Sequence, residues 1–253
     1  MNAKITSTIA AVLFLTAITS CNKSTDQNTQ SSVKKDTVTK STVPLVEKVL
    51  TAEQQAALTP DAVLQSLKDG NKRFMNNQIT ARDHSAMVRN SANGQYPKAV
   101  ILSCLDSRIP VEDVFDKGIG DVFVARVAGN IVNEDILGSM EYGCKVSGAK
   151  LILVLGHQSC GAIKSAIDDV KLGNITELLA KIKPAVTESG SFKGEKTSKD
   201  KEYVNEVGRN NVLNAIETIK TKSPVLKEML DKKEIRIVGG YYDMQTGEVK
   251  FME

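Results

Sequence analysis

Residues 150–156 read Lys-Leu-Ile-Leu-Val-Leu-Gly, the most apolar stretch beyond the first twenty residues. Too short for a helix and bounded by Lys and Gly, this run is a buried strand. Residues 98–104, 121–127 and 235–242 give three more apolar runs of the same kind. Helical patterns separate them. Thr59-Pro60-Asp61 opens one with a cap and a first-turn proline, and Val63, Leu64, Leu67 and Phe74 keep its spacing to about Gln78. A polar helical stretch follows to about Asn93, and helices are expected over 134–146, 160–170 and 175–186. A polar loop spans 187–201, and residues 202–232 form two helices broken at Ser223-Pro224. Residues 245–248 turn into an edge hairpin at 249–251. Strands alternating with helices give an α/β fold, with a mainly parallel central sheet flanked by helices. In such sheets ligands sit beyond the carboxyl ends of the strands.

The N-terminus reads as an address. Lys4 precedes the apolar residues 9–18, a run of signal-peptide length and too short to span a bilayer comfortably. Ile18-Thr19-Ser20-Cys21 then resembles a bacterial lipobox, in which cleavage before Cys21 leaves a thiol for lipid. Nine of the 22 residues from 22 to 43 are Ser or Thr and none is aromatic, a composition that cannot offset its own ordering entropy. The expected organisation is a signal peptide at 1–20, a lipid-anchored tether at 21–45 and one domain at 46–253. It places the domain at the cell envelope, facing the periplasm or exterior.

The charge balance, 33 basic against 30 acidic residues, leaves a net charge of +3. No Lys/Arg-dense face points to nucleic acid. No glycine-rich phosphate loop follows a strand. Four cysteines in 253 residues are too few for a disulfide scaffold.

Chemistry gathers after two strands. The first runs into Ser103-Cys104-Leu105-Asp106-Ser107-Arg108, and the third into Gly156-His157-Gln158-Ser159-Cys160-Gly161. Two thiolates and one imidazole suit Zn²⁺, and three protein ligands leave a fourth position open, the catalytic pattern. Other readings stand beside it: a Cys104–Cys160 disulfide, a Cys104 nucleophile, or thiol redox chemistry. With Cys21 lipidated, three thiols remain, an odd number, and Cys144 falls mid-helix as a core residue.

Cys-x-Asp-Ser-Arg followed by His-x-x-Cys-Gly, 53 residues from Cys104 to His157, resembles the β-class carbonic anhydrases. Gln95-x-Pro97, Arg126-x-Ala128-Gly129-Asn130 and Glu141-Tyr142 extend the resemblance over about 200 residues, from near Ala56 to the C-terminus. It implies reversible hydration of CO₂ to bicarbonate and a proton by zinc-bound hydroxide, with one Zn²⁺ per chain held by Cys104, His157 and Cys160. It makes Asp106 and Arg108 the catalytic dyad. Arg108 would hold Asp106 ionised and off the metal, and Asp106 would aim the attacking oxygen. It further implies a CO₂ pocket lined by Gln95, Phe123, Ala128 and Tyr142, with Phe123 and Tyr142 reaching from a partner subunit. The backbone of Gly161 would help orient substrate. A homodimer or dimer of dimers follows, with residues 60–93 packing on the partner. The sequence departs from the relatives with a regulatory bicarbonate pocket at Ile101, where they carry Trp. Competing functions are the same zinc site acting on another small electrophile such as carbon disulfide, and a non-catalytic zinc-stabilised surface module. His84, the only other histidine, falls on the polar helix and reads as a surface residue.

Overall fold

Five strands form the sheet of the computed structural model, which describes residues 45–252. They are β1 (Ala99–Ser103), β2 (Val122–Arg126), β3 (Leu151–His157), β4 (Arg236–Tyr242) and β5 (Val249–Met252). Their order is β2-β1-β3-β4-β5. The first four run parallel, and β5 pairs antiparallel with β4 at one edge. The expected leader, Cys21 and all but the end of the expected tether lie outside the described residues.

Among the described residues ten α-helices accompany the strands: α1 (Ala52–Ala56), α2 (Pro60–Met75), α3 (His84–Ser91), α4 (Val111–Val114), α5 (Glu134–Glu141), α6 (Gly161–Ile167), α7 (Gly173–Ala180), α8 (Lys183–Glu188), α9 (Lys201–Lys222) and α10 (Pro224–Asp231). Their ends follow local chemistry. Thr59 Oγ1 accepts from the N–H of Ala62 at 3.2 Å, capping α2 ahead of Pro60. Ser223 closes α9, and its Oγ accepts from Leu226 N at 3.1 Å to start α10, where Pro224 fixes the first turn.

Several boundaries differ from the sequence reading. Helix α2 stops at Met75, and Asn77 turns left-handed at φ 53°. The polar stretch to Asn93 is helical only over α3. Its first residues are held extended, because Asp116 takes the N–H and Oγ1 of Thr80 at 3.0 and 2.7 Å and Arg82 bridges to Val46. The expected helix at 134–146 is α5 followed by one wide π turn, Tyr142–Val146. The expected helix at 175–186 is two, α7 and α8, since Pro184 belongs in a first turn. Helices α1 and α4 were not anticipated.

The strand alternation sorts the core into two layers. Ala99 and Ile101 of β1 face α2 and α4, packing with Val63, Leu64, Leu67, Val111 and Phe115. Val100 and Leu102 face the other way, toward Met140 of α5 and Val212, Ile216 and Ile219 of α9. Helix α2 meets its layer at close range: a Cβ on Gly70 would lie 1.9 Å from the carbonyl oxygen of Phe115. A third apolar cluster, including Ile163, Leu179, Ile182, Val204 and Val207, packs around Cys104 and Cys160. Each such side chain, fully buried, contributes about 1.5–3 kcal/mol. The cluster floors the region beyond the carboxyl ends of β1 and β3.

Candidate metal centre

Ser103 ends β1, and its register partner on β3 is Leu155, so the two parallel strands finish side by side. Cys104 directly follows the first, and His157 is the last residue of the second. Ser159, left-handed at φ 57°, reverses the chain, and Cys160 then occupies the N-cap of α6. The sulfurs of Cys104 and Cys160 and a ring nitrogen of His157 come within 4.8 Å of one another, all three residues buried. The Sγ–Sγ distance is 3.9 Å. Two thiolates on one tetrahedral ion with bonds of about 2.3 Å would stand about 3.8 Å apart. Both cysteines are free thiols, so the structure contains no Cys104–Cys160 disulfide.

The histidine is prepared for the same geometry. Its Nδ1 lies 2.9 Å from the carbonyl oxygen of Gln158. A carbonyl only accepts, so Nδ1 carries the proton and Nε2 keeps its lone pair. That Nε2 is buried without a hydrogen-bond partner, a state that costs free energy unless something accepts the lone pair. The two sulfurs are within hydrogen-bond distance of each other. The hydrogen bond from Cys160 draws the Cys104 thiol down to about 4 against the opposing effect of burial, helped by His157 and by the N–H of Gly129. The same hydrogen bond, with burial, pushes Cys160 up.

Two residues past Cys104, Asp106 meets Arg108 in a fork. Arg108 Nε donates to Oδ1 at 2.9 Å, Nη2 donates to Oδ2 at 2.6 Å, and the Arg108 backbone N–H adds a third bond at 3.0 Å. The guanidinium hydrogen bond is the main reason the Asp106 carboxyl falls to about 2, outweighing burial. Asp106 Oδ2 also lies 4.0 Å from His157 Nε2. The carboxylate therefore stands beside the three donors while its oxygens are committed to Arg108.

A sequence model of a family described as carbonic anhydrase matches residues 99–249. The chain belongs to that family. It is 34% identical over 197 residues to "Carbonic anhydrase 2" of Mycobacterium tuberculosis, covering 74% of this chain and 90% of that one. It is equally similar to "Carbonic anhydrase" of Mycolicibacterium smegmatis, 34% identical over 76% of this chain and 92% of that relative. Among solved structures, tetrameric β-carbonic anhydrases from Sordaria macrospora match with a TM-score of 0.59 at 25% identity, over 73% of this chain and 90% of that one. A Coccomyxa β-carbonic anhydrase in complex with acetazolamide matches with a TM-score of 0.58 at 25% identity, over 66% and 76%. The protein is a β-class carbonic anhydrase, a carbonate dehydratase.

The carbonic anhydrase fold brings some expected pocket residues to the donors and leaves others apart. Ala128 opens the short turn after β2, next to Gly129, whose N–H lies 3.3 Å from Cys104 Sγ. Gly161 follows Cys160, with open space where a Cβ would stand. Gln95 lies exposed ahead of β1, at the opposite edge of the sheet. Phe123 pairs in register with Val100, three residues before the end of β1, which is about 10 Å back along the strand. It contacts Tyr142, ring centroids 6.5 Å apart, and both line an open depression on the α5 side. His84, exposed, starts α3.

Three residues near the donors had no role in the sequence reading. Arg126 donates from Nε to the Cys104 carbonyl at 3.0 Å and from Nη2 to the Asp106 carbonyl, fixing the loop that carries both. Gly129, at φ 70°, takes a conformation that suits glycine, and a Cβ there would reach 2.6 Å from Ile182. Asn211 of α9 donates to the Gly129 carbonyl. The Arg-x-Ala-Gly-Asn motif contained signals for the first two. Nothing in the sequence marked Asn211.

Proposed function

We propose that Cys104, His157 and Cys160 hold one Zn²⁺ per chain, and that CO₂ is hydrated there to bicarbonate and a proton with Asp106 and Arg108 as the working pair. The observation that carries this reading is the buried, otherwise unsatisfied His157 Nε2 directed at two thiols with tetrahedral spacing. Bound zinc would supply the Lewis acidity that makes hydroxide available near neutral pH. The remaining work falls to the chain. Asp106, ionised through neutral pH, can only accept, so it takes the O–H of the attacking water and turns that oxygen's lone pair toward CO₂. Arg108 fixes the carboxylate's direction and keeps it from collapsing onto the donors. Arg126 holds the 104–106 backbone from the next strand. Gly129 supplies an N–H to Cys104 and so limits the negative charge that sulfur must carry.

The reading extends to assembly and location. Tyr142 is 53% and Val146 70% exposed, and the depression lined by Phe123 and Tyr142 has a volume of about 610 Å³. Exposed apolar side chains of this kind, at a depression also lined by Glu134 and Asp135, favour a covering partner. A homodimer would let Phe123 and Tyr142 complete the CO₂ pocket of the neighbouring subunit, with α2 and α3 near that contact. The leader and Cys21 would anchor the enzyme by lipid at the cell envelope.

Metal analysis and CO₂ hydration by stopped flow, on the full chain under reducing conditions, test the reading. Near one zinc per chain is expected, lost in Cys104→Ser. Asp106→Ala should keep the zinc and lose hydration. Hydration that persists in the metal-free chain, or survives Asp106→Ala, would sink it. Radiolabelled lipid on the wild-type chain, absent from Cys21→Ser, tests the anchor.

A further inference from the structure

A second concentration of charge lies at the opposite edge of the sheet. A cavity of about 290 Å³ opens beside the amino ends of β1 and β2, lined by Lys48, Arg73, Arg82, Lys98 and Lys117. Two carboxylates, Asp116 and Asp121, also line it, leaving a surplus of three positive charges. Lys98 and Cys104 are six residues apart along β1, about 20 Å, so this cavity is separate from the metal centre.

The carboxylates are already committed. Asp116, its side chain fully buried, pairs with Arg73 at 2.5 Å and Arg82 at 2.7 Å. One negative charge thus faces two guanidinium groups. Asp121 pairs with Lys98 at 2.7 Å, and its other oxygen accepts from the N–H of Gly118. Lys117 is 6% exposed, and its ammonium donates only to the carbonyl and hydroxyl oxygens of Ser66, each at 3.0 Å. Among the described residues no carboxylate lies within ion-pair distance of it. Burial, then the charges of Lys98 and Arg73, pull its ammonium down to about 8 against the opposing charges of Asp121 and Asp116, which stand nearby without pairing with it. A buried charge without a direct ion pair is costly. A bound anion removes that cost and uses the ammonium's third N–H.

We propose that this cavity binds a phosphate group, either free inorganic phosphate or the headgroup of an anionic phospholipid. A tetrahedral oxyanion presents several acceptor oxygens, matching donors that converge from α2, from the start of β1 and from the segment after α4. Exposed Lys48, in the first described residues of the chain, also lines it.

Calorimetric titration of inorganic phosphate into the zinc-loaded chain, at constant ionic strength set with chloride, tests the free ligand. Binding is expected to weaken at least about tenfold in Lys117→Met, through loss of a charge-assisted hydrogen bond. In Lys48→Glu, a surface change that leaves the core intact, it should weaken about threefold. Sedimentation with phosphatidylglycerol vesicles against phosphatidylcholine vesicles tests the headgroup. Whatever else holds the chain to a bilayer is common to both lipids and cancels. Phosphate binding weakened to these extents in the two variants assigns the free anion, and a phosphatidylglycerol preference weakened in them assigns the lipid. Neither binding, or binding that both substitutions leave unchanged, overturns the proposal. CO₂ hydration should stay at the wild-type rate in both variants.

Discussion

Asn211 donates from its Nδ2 to the carbonyl oxygen of Gly129 at 2.7 Å, a buried bond spanning 82 residues of sequence. Helix α9 thereby holds the turn whose N–H meets Cys104 Sγ at 3.3 Å. Asn211→Ala should leave that carbonyl unsatisfied and cost about 1–3 kcal/mol of stability. Because the turn also supports a donor, metal should leave the variant faster on addition of a chelator. Urea unfolding and the rate of metal loss check the two effects; a stable variant that keeps its metal would show that α9 does not support the centre.

Arg108→Gln removes the largest influence on Asp106. The carboxyl, now at about 2, should return toward its ordinary value of 3.8. A lowered carboxyl contributes stability above the ordinary value and loses it as pH falls from there through about 2. Asp106 keeps some solvent contact, so this effect on stability is small. Catalysis should suffer more. With the fork gone the carboxylate is no longer aimed, and hydration is expected to fall about 10²-fold at unchanged zinc content. Stopped-flow rates alongside metal analysis separate misorientation from loss of metal.

Asp116 is the buried counterpart. Burial raises its carboxyl, but bonds from Arg73, Thr80 and Arg82 outweigh that effect and hold it well below 3.8. Its stabilising contribution is present in full above 3.8 and is lost as pH falls below that value. Asp116→Asn should therefore cost about 3 kcal/mol at neutral pH, as expected for breaking a buried pair. The gap from the wild type should shrink on acidification. Denaturant titrations at neutral and acid pH measure it; a gap independent of pH would locate the effect in packing.

Loss of the proposed zinc should change the thiols. At 3.9 Å the two sulfurs need only a short approach to reach the roughly 2.05 Å of a disulfide. A chelated sample exposed to air or diamide should join Cys104 to Cys160, while the zinc-loaded sample resists. Cys144, buried and pushed up to about 12, should stay reduced in both. Peptide mapping under non-reducing conditions reads the outcome.

The four parallel strands were legible because each is a short apolar run between polar ends; β1 and β3 are buried on both faces, while β2 is only half-buried. Cys104, His157 and Cys160 were legible as a set because donor chemistry is carried by residue type and each motif directly follows a strand. Helix boundaries were less so. Nothing near Thr80 in the sequence reports that Asp116, 36 residues away, holds it extended. The break between α7 and α8 was signalled only by Pro184.

The order of residues alone determined the four parallel strands, the family and the candidate donor set, since apolar period and ligand type are local properties. Only the tertiary structure decided which backbone groups steady those donors. Arg126, Gly129 and Asn211 reach the Cys104 loop from β2, from the turn beyond it and from α9. It likewise gathered Lys48, Arg73, Arg82, Lys98 and Lys117 around one cavity. Contacts between residues tens of positions apart depend on how layers stack on the sheet, and that stacking is fixed by burial across the whole domain rather than by any local pattern.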